Sequence, residues 1–263
     1  MTTTTRKQQK ASLHGYDARL EQARDNQLPE EVATALSYNG LSHVVMMVTP
    51  SDLEDFALGF SLAEGFITSR YSLKDIQLSQ MSDGLLLDMT ISQRDFHRLK
   101  QVRRNLQGRT GCGLCGHESL ATAIPDLSAL PGAKPPAPET FFNIRQHMRS
   151  WQKKGAETGA LHAAVLLNQA GDIVLCREDI GRHNALDKLL GAAINAGYDL
   201  SRCCVVISSR CSVELVQKAI RTGLASLASL SSPSTLAIDT ARRYKLNLIH
   251  LPKQDAPRLY SHG

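Results

Sequence analysis

The sequence predicts an α/β protein: a mixed-sheet layered domain on the C-terminal side, joined to a smaller N-terminal α+β subdomain. Three observations carry this. Strand-like and helix-like runs alternate from His162 to Leu251, two hairpin signals flank a helical pattern in the N-terminal half, and a proline-rich stretch separates the halves.

From Glu31, "EVATALSYNGLSHVVMMV" places two β-rich runs around Tyr38-Asn39-Gly40, and Asn-Gly supplies the positive φ that a two-residue hairpin turn requires. Met46 and Met47 read as core. A helix follows in "TPSDLEDFALGFSLAEGF", with Pro50 and Asp52 near its start and Gly65 near its end. "IQLSQMSDGLLLDMTI" repeats the hairpin logic around Asp83-Gly84, and Gln93 to Gln107 reads as a basic helix running into a cysteine loop. Prolines 125, 131, 135, 136 and 138 then forbid regular structure. In the C-terminal part, "LHAAVLLNQAGDIVLCRED" is a hairpin, "NALDKLLGAAINAGY" a helix, "CCVVISS" a buried strand and "SVELVQKAIRTGL" a helix. A short apolar run, a helix from about Ser234 and the strand "LNLIHL" complete it. The domain plan is a flexible tail over 1–20, a hairpin–helix subdomain over 21–108, a mobile cysteine loop and proline-rich connection over 109–140, and an α/β subdomain with a ligand pocket over 141–263.

The 263 residues are 42% hydrophobic and 21% charged, a globular balance. "MTTTTRKQQKASLHG" has no apolar core to act as a secretory signal, and no apolar window approaches the roughly 20 residues a membrane span needs. The expected setting is cytoplasmic, without membrane association. Six cysteines are too few for a disulfide scaffold, so free thiols are the default. A net charge of +5 permits an anionic partner. With 5% aromatics and no basic–aromatic interleaving, a nucleic-acid partner is not expected.

"GRTGCGLCGHESL" from Gly108 admits four readings: nucleotide cradle, half a zinc site, redox disulfide or sulfur carrier. The Gly111, Gly113 and Gly116 match to a dinucleotide fingerprint lacks the preceding strand that motif needs. A structural zinc site needs four ligands, and Cys176, Cys203, Cys204 and Cys211 show no chelate spacing, so no metal is expected. Adjacent Cys203 and Cys204 point to opposite sheet faces. Thiol chemistry remains, either dithiol–disulfide exchange or persulfide transfer. Reach and a depressed pKa suit a carrier, and Arg104, Arg109 and His117 either supply the electropositive setting or belong to an ordinary solvated surface.

Five stretches together resemble the formate dehydrogenase accessory sulfurtransferases (FdhD/NarQ). They are "YNGLSHVVMMVTPSDLEDFALGFSLAEGFI" from Tyr38, "GRTGCGLCGHESL" from Gly108, "HAAVLL" from His162, "EDIGRHNALDKLLG" from Glu178 and "SSRCSVELVQKA" from Ser208. The resemblance implies a cytoplasmic, homodimeric sulfurtransferase. It would take sulfur from a cysteine desulfurase and pass it to the molybdenum bis(molybdopterin guanine dinucleotide) cofactor of formate dehydrogenase. It implies Cys112 as the persulfide carrier, Cys115 as its companion, and a C-terminal fold similar to cytidine deaminases without their zinc. The family's cofactor-contacting run falls on Leu251, Pro252, Lys253, Gln254, Asp255 and Ala256. The glycine and arginine usual there are absent, and Lys253 keeps a cation.

"EDIGRHNALDK" reads structurally as a strand-to-helix turn at Gly181 with Asn184 capping the helix. Functionally, the helix N-terminus with Arg182 and His183 faces phosphate or guanine at the carboxyl edge of the sheet. The turns Ser208–Ser212, with Arg210, and Ser231–Ser234 belong to the same expected edge. Asp187 reads as a salt-bridge or capping partner, His162 as structural and Cys211 as a loop filler. Two rivals to the sulfur carrier are a non-catalytic chaperone that binds the cofactor for formate dehydrogenase, and a dithiol oxidoreductase.

Overall fold

A computed structural model describes residues 28–107 and 126–263. The expected tail over 1–20 and both cysteines of the Cys-x-x-Cys pair lie outside the described residues.

The N-terminal unit opens with β1 (Val32–Tyr38) and β2 (Leu41–Val48), paired antiparallel. Asn39 and Gly40 sit at φ 49° and 76°, the left-handed pair that lets a two-residue turn follow the strands' twist. Helix α1 (Leu53–Ala63) comes next, then β3 (Leu73–Met81) and β4 (Gly84–Ile91), and α2 (Gln93–Gln107) closes the unit. The second hairpin turns on Ser82 and Asp83, one residue earlier than expected, because Gly84 already pairs with Met81. The sheet order is β2-β1-β4-β3, with β1 and β4 parallel. Its inner face buries Leu36, Tyr38, Leu87 and Met89 against Phe56 and Phe60 of α1. Met46 packs on this core, but Met47 is 49% exposed, correcting its expected place there: successive strand residues face opposite ways, and Met47 takes the outer face.

Residues 126–137 are irregular, as their prolines require, yet they are pinned rather than loose. Leu130 is buried with its amide on the Tyr244 carbonyl (3.0 Å), and Asn247 Nδ2 donates to the Ala133 carbonyl (3.0 Å). Apolar Leu130 has a core to join, which proline content alone does not reveal.

The C-terminal unit contributes α3 (Ile144–Trp151), α4 (Lys153–Thr158), β5 (His162–Leu167), β6 (Ile173–Asp179), α5 (Arg182–Asn195), β7 (Cys204–Ile207), α6 (Val213–Arg221), β8 (Ser226–Ser229), α7 (Thr235–Arg243), β9 (Asn247–His250) and β10 (Arg258–Ser261). The sheet order is β10-β9-β8-β7-β5-β6, with β7, β8 and β9 mutually parallel. Leu166, Val205, Leu227 and Leu248 pack under α5, α6 and α7, while Val165, Val206 and Ile249 face Phe141, Ile144 and Met148. Cys203 and Cys204 join opposite cores, as alternation dictates. Among the described residues, no helix is long and apolar enough to cross a membrane.

The two units meet where α1 crosses α5. A Cβ on Gly59 would run into the Asp187 carbonyl, and one on Gly191 into that of Asp55, so the helices pack backbone on backbone.

Candidate functional site

Strand register gathers the candidate turns at one edge. His162 pairs with Asp179, the Ser208 amide donates to the Ala163 carbonyl (2.9 Å), Ile207 pairs with Ser229, and Ser229 with His250. The carboxyl ends of β6, β7, β8 and β9 therefore lie side by side with the start of β5. Helices α5, α6 and α7 all begin at this edge with their N-termini directed at it, and Ser234 Oγ caps α7 by accepting from the Ala237 amide (3.2 Å).

The Gly181–Asn184 turn is held by one buried carboxylate. Asp179 accepts from the Gly181 amide (2.7 Å), Asn184 Nδ2 (3.0 Å) and the Thr49 amide (3.0 Å), and pairs with Lys188 Nζ at 2.6 Å. Lys188 is fully buried and also donates to the Thr49 carbonyl (2.8 Å). Burial pushes its pKa down, and the Asp179 carboxylate opposes that. Asn184 is not the cap expected of it. Gly181 takes that position, while Asn184 Nδ2 reaches across to the Met47 carbonyl (2.9 Å) and so bolts the turn to the N-terminal unit. A second buried network lies one turn further along α5. Lys218 bonds both Asp187 oxygens (2.9 and 2.8 Å) and pairs with Glu64 (2.7 Å). Burial raises the Asp187 carboxyl to about 6, which leaves it ionised at neutral pH beside the ammonium. Asp187 is thus the ion-pair partner it reads as.

Arg182 and His183, both half-buried, follow Gly181 at this edge. Arg182 opens α5. His183 Nε2 is buried with no hydrogen-bond partner among the described residues. Desolvation, then the charge of Arg182, lowers the His183 pKa to about 4, so the imidazole is neutral at physiological pH. His162 is shifted down by burial and Arg182. Arg210 is exposed in the Ser208–Ser212 turn, whose Ser208 Oγ accepts from the Ala163 amide (2.9 Å).

In the run after β9, Leu251 is a core residue whose amide bonds the Ser229 carbonyl (2.9 Å) and whose carbonyl accepts from Arg145 (2.7 Å). Pro252 is half-buried, and Lys253, Gln254, Asp255 and Ala256 are exposed, with Asp255 paired to Arg258 (2.6 Å). Arg145 also donates to the Leu230 carbonyl (2.8 Å), tying the turns after β8 and β9 together. Sequence reasoning missed Arg145 and His250. His250 ends β9, is 8% exposed, and has an Nδ1 without a partner among the described residues. Two orphaned imidazole nitrogens, three helix N-termini and the cations Arg182, Arg210, Arg145 and Lys253 suit an anion-rich ligand bearing hydrogen-bonding groups.

Burial raises the pKa of each thiol in the described residues: Cys176 and Cys211 to about 12, with Cys203 and Cys204 shifted the same way. They are protonated at neutral pH and inert as nucleophiles. Cys211 is a buried member of the main core, not a reactive group.

The match to known proteins spans both units. Residues 29–263 fit the model of the FdhD/NarQ family. The chain is 39% identical over 239 residues to the sulfur carrier protein FdhD of Bordetella bronchiseptica, covering 91% of this chain and 87% of that one. It is 42% identical over 241 residues to the sulfur carrier protein FdhD of Cupriavidus necator, covering 90% and 82%. Among solved structures, a Desulfotalea psychrophila protein assigned as a formate dehydrogenase accessory protein superposes with a TM-score of 0.67 at 24% identity, over 90% of this chain and 89% of that one. That likeness extends the fold across both units, and the sequence match fixes the lineage: the chain belongs to the FdhD/NarQ family.

Proposed function

We propose that this chain is a sulfurtransferase that carries sulfur as a persulfide on Cys112, from a cysteine desulfurase to the molybdenum bis(molybdopterin guanine dinucleotide) cofactor of formate dehydrogenase. The observation that carries the reading is the family match over residues 29–263, with relatives named sulfur carriers at about 40% identity. The burial of Cys203, Cys204 and Cys211, and the raised pKa of half-buried Cys176, support it by leaving Cys112 and Cys115 as the chain's other two thiols.

In the first step the Cys112 thiolate attacks the terminal sulfur of the donor persulfide. The donor's S–S bond breaks, its cysteine leaves as thiolate, and a Cys112 persulfide forms. In the second, the Cys115 thiolate attacks Cys112 Sγ. The terminal sulfur leaves with the bonding pair as sulfide for the metal, and Cys112 and Cys115 become a disulfide that a dithiol reductant reopens. The acceptor is substrate here. The edge formed by Arg182, His183, Arg210, Arg145 and Lys253 is where its guanine dinucleotide arms would bind, phosphates toward the helix N-termini.

Intact-mass measurement after incubation with desulfurase and cysteine is expected to show one added sulfur on the Cys112 peptide. Cys112→Ala is expected to abolish activation of formate dehydrogenase, and Cys115→Ala to be milder where an external thiol completes release. Full activation by the Cys112→Ala protein would return the reading to a cofactor-binding chaperone.

A further inference from the structure

The face formed by the described part of α2 and the Arg70–Tyr71 turn carries a charge that the sheet-edge site does not use. Residues 92–101 contribute Arg94, His97, Arg98 and Lys100 against a single acid, Asp95, which is 2% exposed. Asp95 is consumed internally by Ser92 Oγ (2.9 Å) and Arg98 (3.3 Å). Arg98 is anchored on the Gly65 carbonyl (2.9 Å), and Lys100 Nζ lies over the Phe96 ring (4.3 Å). The Ser92 amide donates to the Ser72 carbonyl (2.8 Å), which sets the preceding turn against the start of α2. There Tyr71 is 75% exposed with the Arg70 guanidinium over its ring at 5.5 Å, and residues 66–72 contain no acid. Arg70 also lines a cleft with the exposed acids Glu54 and Asp75, and Glu64, next to the Gly65 carbonyl that holds Arg98, is paired with Lys218 (2.7 Å). Three permanent cations on α2 with no exposed acid between them over residues 92–101, beside Arg70 and an uncovered tyrosine, have the composition of a protein-binding centre: arginine and tyrosine anchor interfaces, and the excess positive charge selects an acidic partner.

Its place in the fold selects which partner. Helix α6 starts at the candidate ligand edge and ends at Arg221, whose guanidinium bonds the Ala63 carbonyl (3.0 Å), two residues before the carbonyl that holds Arg98. Nine residues of helix separate the two places by roughly 13 Å. A carrier that loads and unloads at separate places can hold donor and acceptor together. The cationic face also sits on the helix that runs into the cysteine segment: Cys112 follows Gln107 by five residues, a reach of up to about 17 Å.

We infer that this face is the docking surface for the sulfur-donating protein, engaged through an acidic patch on that donor. The inference rests on the sulfur-carrier reading. It is tested by measuring binding of a purified cysteine desulfurase to the full chain and to three variants. Arg94→Glu with Lys100→Glu is expected to weaken binding at least about tenfold at low salt, and Tyr71→Ala to weaken it without a change in charge. Arg149→Glu with Lys153→Glu, an equal charge change on exposed positions of α3 and α4, is expected to leave it within about twofold. Equal loss in both charge-reversed proteins, unchanged binding in the α2 pair and Tyr71→Ala, or no binding by the unaltered chain would overturn the inference. Loading of Cys112 from inorganic polysulfide, read by intact mass, separates this from the carrier reading. A variant that loads from polysulfide but not from desulfurase has lost docking alone. An unaltered chain that binds desulfurase at this face yet never acquires sulfur retains the docking surface and loses the carrier.

Discussion

At the level of single residues, Asp179 and His183 show how the edge separates structure from chemistry. Asp179 spends all its acceptor capacity on the turn, so it positions Arg182 and His183 and is not available to a ligand. Lys188→Met would leave that carboxylate buried without its cation. A destabilisation on the order of 3–5 kcal/mol is expected, measured by denaturant unfolding. His183 makes a pH-dependent contribution. Its pKa is about 4 in the fold, from burial and then the Arg182 and Lys218 charges, with Glu214 and Glu64 opposing, against 6.5 for a free imidazole. A group depressed in this way is protonated first in the unfolded chain. Its stabilisation is complete above pH 6.5 and is lost as pH falls toward 4. His162 and His250 shift the same way, so the measurement is a difference. His183→Gln is expected to reduce the fall in Tm between pH 7 and pH 5 by about 2–4 °C, allowing for partial solvent screening at the site. An unaltered slope would refute the assignment.

At the level of elements, the α1–α5 crossing decides whether the two units behave as one. Gly59 and Gly191 each face the partner helix's backbone, where no Cβ fits. Gly191→Ala is expected to force the helices apart and lower Tm by roughly 6–12 °C, since overpacking against main chain cannot be relieved by a rotamer change. Neither glycine announces this role in the sequence, where both lie inside helical patterns and read as minor defects. Other elements are legible because their causes are local. Asn39-Gly40 writes its own turn, and the alternation in "HAAVLL" and "CVVI" writes its strands. Elements defined by what they pack against are not legible. Helix α3 is eight residues long and buries only Ile144 and Met148, and β10 is a four-residue edge strand with Leu259 48% exposed, so neither is long enough to be read.

At the level of the whole molecule, the candidate edge was legible as a set of turns because glycine and serine stand at the carboxyl ends of β6, β7 and β8. Its cross-members were not. Arg145 and His250 reach the edge through register and layer packing, which no short stretch encodes. The convergence of Gly181–Asn184, Ser208–Ser212, Ser231–Ser234 and the run after Leu251 gives a quantitative expectation for the proposed guanine dinucleotide substrate. Guanosine diphosphate carries its phosphates and its base, so it is expected to bind and to raise Tm in proportion to the logarithm of its concentration above Kd. Arg182→Ala or Lys253→Ala removes one cation and is expected to weaken binding by about 1–3 kcal/mol, roughly ten- to hundredfold. Salt is expected to weaken the unaltered protein more than either variant, since each has one fewer charge to screen. Arg145→Lys keeps the charge but ends in a shorter side chain than the one whose Nη2 donates to both the Leu230 and Leu251 carbonyls. It is expected to weaken binding through a loosened pair of turns, with little change in salt dependence. Calorimetric titration distinguishes these outcomes. If guanosine diphosphate binds with the same affinity to all three variants, the guanine arms lie away from this edge, and the placement of the acceptor fails while the persulfide chemistry of Cys112 stands untouched.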